Sequence, residues 1–137
     1  MKTPKIVFSE NPHDVDWAAL KAALTDDRFD HGRTADELRE SFVNSRHICL
    51  AFLRGRLIGT GRLMSDGVCN AYLVDVWVLS QHRRRGIGAQ IVVRLLEAVP
   101  GQHVYLQADD PRLYSSLGFR PQPEGMSLVA GLSRAAP

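Results

Sequence analysis

The sequence predicts a mixed α+β fold, a mostly antiparallel sheet of about six or seven strands with about four helices. Three observations predict it. Apolar runs of strand length alternate with turn signals from His47 to Val78. Stretches near the start and after Gly86 instead carry apolar residues at helical spacing. Between these patterns, Val74 to Val78 runs through a short basic turn into a helix, and Val104-Tyr105-Leu106 follows as another strand. A strand, a crossover helix and the next strand normally lie parallel, so strands four and five are the expected parallel pair. At 137 residues and 45% apolar, one domain over 1–137 is expected, with a core that needs neither disulfide nor metal.

In chain order, Ile6 to Ser9 reads as the first strand. The first helix is expected from near Asp14, with Trp17, Leu20, Ala23 and Leu24 on its apolar face. Thr25 to Arg33 lacks periodicity and reads as a loop with Asp26, Asp27 and Asp30 in it. Thr34-Ala35-Asp36-Glu37 is a capping box that opens a second helix carrying Leu38, Phe42 and Ser45. His47–Leu53 and Arg56–Leu63 form a hairpin about Arg54-Gly55, and Ser65-Asp66-Gly67 turns the chain into strand four, Ala71 to Val78. The next helix is expected to end near Val99-Pro100-Gly101. Asp109-Asp110-Pro111 caps a short fourth helix that Gly118 stops. Phe119-Arg120 and Met126 to Val129 are the expected last strands, and Ala130 to Pro137 a frayed tail.

The strand-to-helix junction carries the chemistry. Ile87, Ile91, Leu95 and Val99 mark a helix starting directly after the turn. Its first amides lack partners and its dipole is positive there. Gly86 and Gly88 let a ligand approach the backbone, and Arg83, Arg84 and Arg85 add fixed charge. A run of three arginines is by itself often a solvated surface. With the strand before it and the glycines within it, the turn reads as a phosphate site. Ile91 stands where a dinucleotide fingerprint wants a third small residue, and the lysine of a nucleotide P-loop is absent.

Arg83-Arg84-Arg85-Gly86-Ile87-Gly88 resembles the acetyl-CoA pyrophosphate motif of the GNAT superfamily of N-acetyltransferases. Leu113-Tyr114-Ser115-Ser116-Leu117-Gly118-Phe119 is similar to that family's downstream helix, with its tyrosine and closing Gly-Phe. The resemblance covers residues 71 to 121 well and the rest loosely. It implies that strands four and five splay apart after pairing. The main chain of Val76, Trp77 and Val78 would hold the pantetheine arm, and Arg83, Arg84, Arg85, Gly86, Ile87, Gly88 and Ala89 the pyrophosphate. Tyr114 would touch the cosubstrate and act as general acid for the departing thiolate, its residue-level alternative being an aromatic of an amphipathic helix.

The general base stays open. The family glutamate on strand four falls at Tyr72, which is no carboxylate. Asp75 could take the proton directly or through water, its alternative being a structural hydrogen-bonding aspartate. A water chain to bulk solvent is the simplest route. Arg84 also departs from the family, where many relatives carry glycine.

The implied function is acetyl transfer from acetyl-CoA to a primary amine of a small molecule or polypeptide, directly in a ternary complex. A non-catalytic CoA-sensing module of the same fold is the alternative. A nucleic-acid-binding domain using the arginines is remote, since net charge is only +2 and no aromatic-rich basic face accompanies them. Acetyl-CoA and an amine acceptor are the expected partners, with no nucleic acid and no membrane, and the resemblance allows a homodimer. Five scattered histidines and two cysteines, Cys49 and Cys69, lack ligand spacing, so no metal is expected. Buried thiols in a reducing cytoplasm are the expected state of the cysteines. Met1-Lys2-Thr3-Pro4 leads straight into a strand, so no secretory leader is expected. The resemblance places the acidic loop from Thr25 to Arg33 beside the acceptor entrance, where it would draw in cationic amines, its alternative being a solvated surface loop.

Overall fold

Local chemistry sets the hairpin at the centre of the sheet. Arg54 and Gly55 take φ of 51° and 78°, the left-handed pair that a tight two-residue turn requires. They fold β2 (His47–Leu53) back on β3 (Arg56–Ser65). The computed structural model describes residues 4–131. They divide into two units, Met1–Leu106 and Gln107–Pro137, each taken by itself below.

In the first unit, β1 (Ile6–Ser9), β2, β3, β4 (Asn70–Val78) and β5 (His103–Leu106) form one sheet in sequence order. The first four strands are antiparallel, and β4 pairs with β5 in parallel as the crossover rule requires. The crossover is α3 (Ile87–Glu97), which packs on β2, β3 and β4. Its Ile91 and Leu95 lie over Gly59 and Gly61, where a Cβ would come within 2.9 and 2.7 Å of Ile91. The glycines thus fit the helix rather than loosen the strand. Ile91, Val92 and Leu95 are fully buried, worth about 1.5–3 kcal/mol each. The opposite face of β2 presents Ile48 and Leu50 to Phe42 of α2 (Ala35–Val43), and Trp17 of α1 (Trp17–Asp26) packs its ring on Phe42 at 5.5 Å.

The Thr34–Glu37 capping box is formed in both directions. Helix α1 starts later than expected, at Trp17. Asn11 caps a separate 3-10 turn over Pro12–Asp14, Val15 is extended, and Asp16 caps the true helix by accepting from Ala19 N–H. The same helix runs through Thr25 and Asp26, which the sequence placed in the loop. Ser45 lies beyond the end of α2, where its hydroxyl donates to the Ser41 carbonyl. Helix α3 stops at Glu97, just short of the expected end.

The second unit holds α4 (Pro111–Ser116), with Asp110 capping the Arg112 N–H and Gly118 at φ 97° past its end. Neither expected last strand is present among the described residues. Met126, Leu128 and Val129 are largely exposed, and Pro121, Pro123 and Gly125 interrupt the stretch before them. A run of apolar residues becomes a strand only where a ladder accepts it. The sheet therefore has five strands, and the expected tail lies outside the described residues from 132 onward. Among the described residues no helix is long and apolar enough to cross a membrane.

Candidate active site

The site begins at a defect in β4. Arg62 pairs with Val74 and Thr60 with Trp77, so Asp75 and Val76 together oppose the single Gly61. This is a bulge, and its first residue, Asp75, sits at φ 58°. A left-handed non-glycine costs about 1–2 kcal/mol. Three bonds hold it there. Asp75 Oδ2 accepts from Arg33 Nη1 and from Arg62 Nε, both at 2.7 Å, and the Asp75 carbonyl accepts from Thr60 Oγ1 at 2.9 Å. Burial opposes ionisation of this carboxyl, but the two guanidiniums more than offset it and hold the group below its ordinary value. Such a carboxylate is a weak proton acceptor. The geometry favours the structural reading of Asp75 over the base.

The bulge also resets the alternation of side chains. Val76 faces α3, 3.8 Å from where a Cβ on Gly61 would lie, and Trp77 turns to the opposite face, buried. Pairing with β5 stops at Leu73 opposite Leu106. From Val74 to Val78, no strand among the described residues therefore flanks β4 on that side, as the splayed arrangement implies. An extended ligand could add along this edge.

The turn that follows is tied down by a residue to which the sequence reading gave a different task. Asp27, at the C-terminus of α1, accepts through Oδ2 from Trp77 Nε1 at 2.9 Å, Ser80 N–H at 3.2 Å and Arg83 Nη2 at 3.3 Å. Arg83 also donates Nε to the Val78 carbonyl at 2.9 Å, so that carbonyl is already engaged within the turn. The only sequence signal for Asp27 was the acidity of its loop.

Beyond Arg83, Arg84 takes φ 65° and Gly86 φ 77°. The left-handed backbone at Arg84 explains why glycine suits that position in the family. Gly86 is the N-cap of α3, and no side chain caps the helix, so its first amides belong to Ile87, Gly88 and Ala89 without a side-chain acceptor. Apart from its own chain neighbours, nothing among the described residues lies within 4 Å of a Cβ built on Gly86. Arg84 and Arg85 are exposed, and among the described residues neither makes an ion pair. Arg85 reaches only the His82 ring, at 3.5 Å. Open backbone, uncapped donors and unpaired guanidiniums fit a diphosphate.

Tyr114 belongs to the second unit and is described there alone. It is half-buried in α4, its ring edge-on to Phe119 with centroids 5.8 Å apart. Burial, and secondarily the Asp109 carboxylate, push its phenol above the ordinary value. It remains a proton donor at neutral pH.

The acidic loop is largely consumed by the fold. Asp27 holds the turn, Asp30 pairs with Lys21 Nζ at 2.6 Å, and Arg33 goes to Asp75. Among the described residues, Asp26 alone of the three is exposed and unbonded, so the loop cannot act as a cluster of three free carboxylates. Cys49 is buried, its thiol pushed up to about 11 by desolvation. Cys69 is exposed, contrary to expectation, because it falls in the β3–β4 turn and not in a strand.

No curated protein matches the chain. Among solved structures it is similar to a GNAT-family protein from Xanthomonas campestris pv. campestris, at 24% identity over 96% of this chain and 98% of that one, with a TM-score of 0.79. It is also similar to glucosamine-6-phosphate N-acetyltransferase from Arabidopsis thaliana, at 18% identity over 92% and 99%, TM-score 0.70. A third, a predicted acetyltransferase from Clostridium acetobutylicum solved with acetyl-CoA, matches at 17% identity over 91% and 96%, TM-score 0.69. These likenesses are of fold. The acetyltransferase (GNAT) family model matches residues 15–119, which takes in the bulged strand, the basic turn, α3 and α4. The chain belongs to the acetyltransferase (GNAT) family.

Proposed function

We propose that the chain transfers the acetyl group of acetyl-CoA to a primary amine, directly and in a ternary complex, with residues 1–137 working as one catalytic domain. One observation carries the reading. The bulged edge of β4, which no strand flanks among the described residues, leads through the 3-10 turn Ser80–His82 and the arginine run to the uncapped N-terminus of α3. Pantetheine adds along Val76, Trp77 and Val78, and the turn from Arg83 to Ala89 takes the diphosphate. A main-chain N–H near Val76 polarises the thioester carbonyl, an effect typically worth ~3 kcal/mol in the transition state.

The amine nitrogen attacks the carbonyl carbon, the carbon–sulfur bond breaks, and the thiolate takes its proton from the Tyr114 hydroxyl. The proton lost by the amine leaves through water to solvent. Asp75 serves this chemistry by position. Its two arginine bonds hold the bulge that turns Val76 one way and Trp77 the other.

The test is thiol release from acetyl-CoA across a panel of primary amines, with the product identified by mass. Amine-dependent release with an N-acetylated product is expected. CoA binding without turnover of any amine would instead make the chain a CoA-sensing module. Tyr114→Phe keeps the ring, so stability and CoA affinity should hold while kcat falls about 10²-fold or more. An unchanged kcat with chemistry limiting would remove Tyr114 from the reaction.

A further inference from the structure

Helix α3 packs on β2, β3 and β4, and β1 lies beyond them at the edge of the sheet. Phe8 of β1 is in register with Ala51, and Cys49 of β2 with Gly61. Ala51 and Gly61 both face α3, and cross-strand partners share a face, so Phe8 and Cys49 point to the helix side as well. Between these side chains and the second half of α3 is a cavity of about 300 Å³, the low end of the range for small-molecule sites. Cys49 and Leu95 are buried in its lining, and Glu10 and Arg94 are exposed at its rim. All of them belong to the first unit. Arg94 lies about 10 Å along α3 from Ile87, clear of the turn to which the diphosphate is assigned.

The guanidinium of Arg94 is held without being used up. Its central carbon lies 4.0 Å from the centroid of the Phe8 ring. At that distance the guanidinium meets the ring with its face, which leaves its edge of N–H donors free for a carboxylate. Among the described residues, neither Arg94 nor Glu10 makes an ion pair, with each other or with any other group. Burial dominates the state of the Cys49 thiol; after it, Arg94 lowers and Glu10 raises its value, so both charges act on the same wall of the cavity. One small cavity thus carries a fixed cation and an anion that do not satisfy each other.

We propose that this cavity is a binding site for a small free α-amino acid, separate from the site for CoA. Arg94 takes the α-carboxylate through its N–H edge, Glu10 takes the α-ammonium, and a short side chain lies against Cys49 and Leu95. A lone carboxylate would also meet Glu10, and a lone ammonium would also meet Arg94. A zwitterion answers both charges at once, and charge-assisted bonds of this kind are the strong ones. The apolar wall offered by Leu95 favours a branched aliphatic side chain such as that of valine. The site stands whether or not the chain acetylates amines, since none of its residues lies in the edge of β4 or in the turn from Arg83 to Ala89.

The experiment measures, by calorimetry and without CoA, the binding of L-valine and of its two halves. Isobutylamine is valine without the carboxylate, and 3-methylbutanoate is valine without the ammonium. Valine should bind with a Kd of about 1 mM or below, and each half about tenfold or more weakly. Arg94→Gln and Glu10→Gln, both at exposed positions, should each raise the Kd for valine about tenfold or more. Neither substitution should change the Kd for CoA. Valine that fails to bind, or binds no better than its halves, overturns the proposal. Valine binding indifferent to both substitutions would place the ligand elsewhere and overturn it too. A loss in Arg94→Gln alone would make the cavity a site for simple anions, and the zwitterion would fall.

Discussion

The bulge at Asp75 and the turn at Arg84-Arg85 each gather two guanidiniums within one short stretch of structure, and they treat the charge in opposite ways. At the bulge, Arg33 and Arg62 converge on a single carboxylate that is 7% exposed. At the turn, Arg84 and Arg85 are exposed and form no ion pair among the described residues. Charge that is paired and desolvated holds a backbone shape, here a left-handed aspartate in a strand. Unpaired charge beside uncapped amides is free to meet an anion from outside. The paired cluster belongs to the fold, and the unpaired one is the part that the proposed function assigns to the ligand.

Breaking the pairing should therefore damage stability first. Asp75→Ala leaves two partly buried guanidiniums facing each other without a counter-ion, which should cost about 3 kcal/mol in urea unfolding. The same substitution at Arg85 should change stability by no more than about 0.5 kcal/mol. Similar losses at both places would erase the distinction.

Acid should separate the two regions in the same way. Asp75 has its folded value lowered from 3.8, so its contribution is complete above that pH and is lost as pH falls through the lower folded value. Asp75→Asn should flatten the fall in stability below about pH 4, and the Arg84→Ala and Arg85→Ala variants should keep it. An Asp75→Asn protein with the wild-type acid profile would show that the pair contributes nothing.

Asp27 sharpens the comparison, because it ties the turn to the fold through Trp77, Ser80 and Arg83. Asp27→Asn removes the charge but keeps an acceptor. KM for acetyl-CoA should rise several-fold, by the loss of one charge-assisted bond to Arg83, with KM for the amine unchanged. An amine-selective effect would return Asp27 to the acceptor side. A small change of the opposite sign is expected from Arg84→Gly. It relieves a non-glycine φ of 65° and should stabilise the chain by about 1 kcal/mol, while weakening CoA binding. A destabilised Arg84→Gly would mean that the arginine is held by contacts worth more than its strain.

What could be read from the sequence was what the chain writes locally. The Arg54-Gly55 hairpin, the Thr34–Glu37 box and the β4–turn–α3 junction each depend on residues within a few positions, and all three formed. The partners of the site are written at long range. Asp75 finds Arg33 across 42 positions and Asp27 finds Trp77 across 50, and no periodicity or spacing announces either pair. The apolar run from Met126 to Val129 failed in the opposite sense. Its composition is that of a strand, but its side chains stay exposed and no ladder among the described residues receives it. The bulge escaped for the same reason as Asp75. It exists only as a mismatch between two strands, one residue of β3 against two of β4.

The most direct test of the division between paired and unpaired charge is CoA affinity set beside pantetheine affinity in one variant. Pantetheine shares the arm that would lie along β4 but lacks the diphosphate. Removing Arg84 and Arg85 together, as Arg84→Ala with Arg85→Ala, should raise the Kd for CoA tenfold or more, given about 1.5–3 kcal/mol for a hydrogen bond to a charged group. The Kd for pantetheine and the urea midpoint should stay where they are in the wild type. A double variant that binds CoA as tightly as the wild type, or that loses pantetheine in equal measure, would contradict the placement of the diphosphate at this turn.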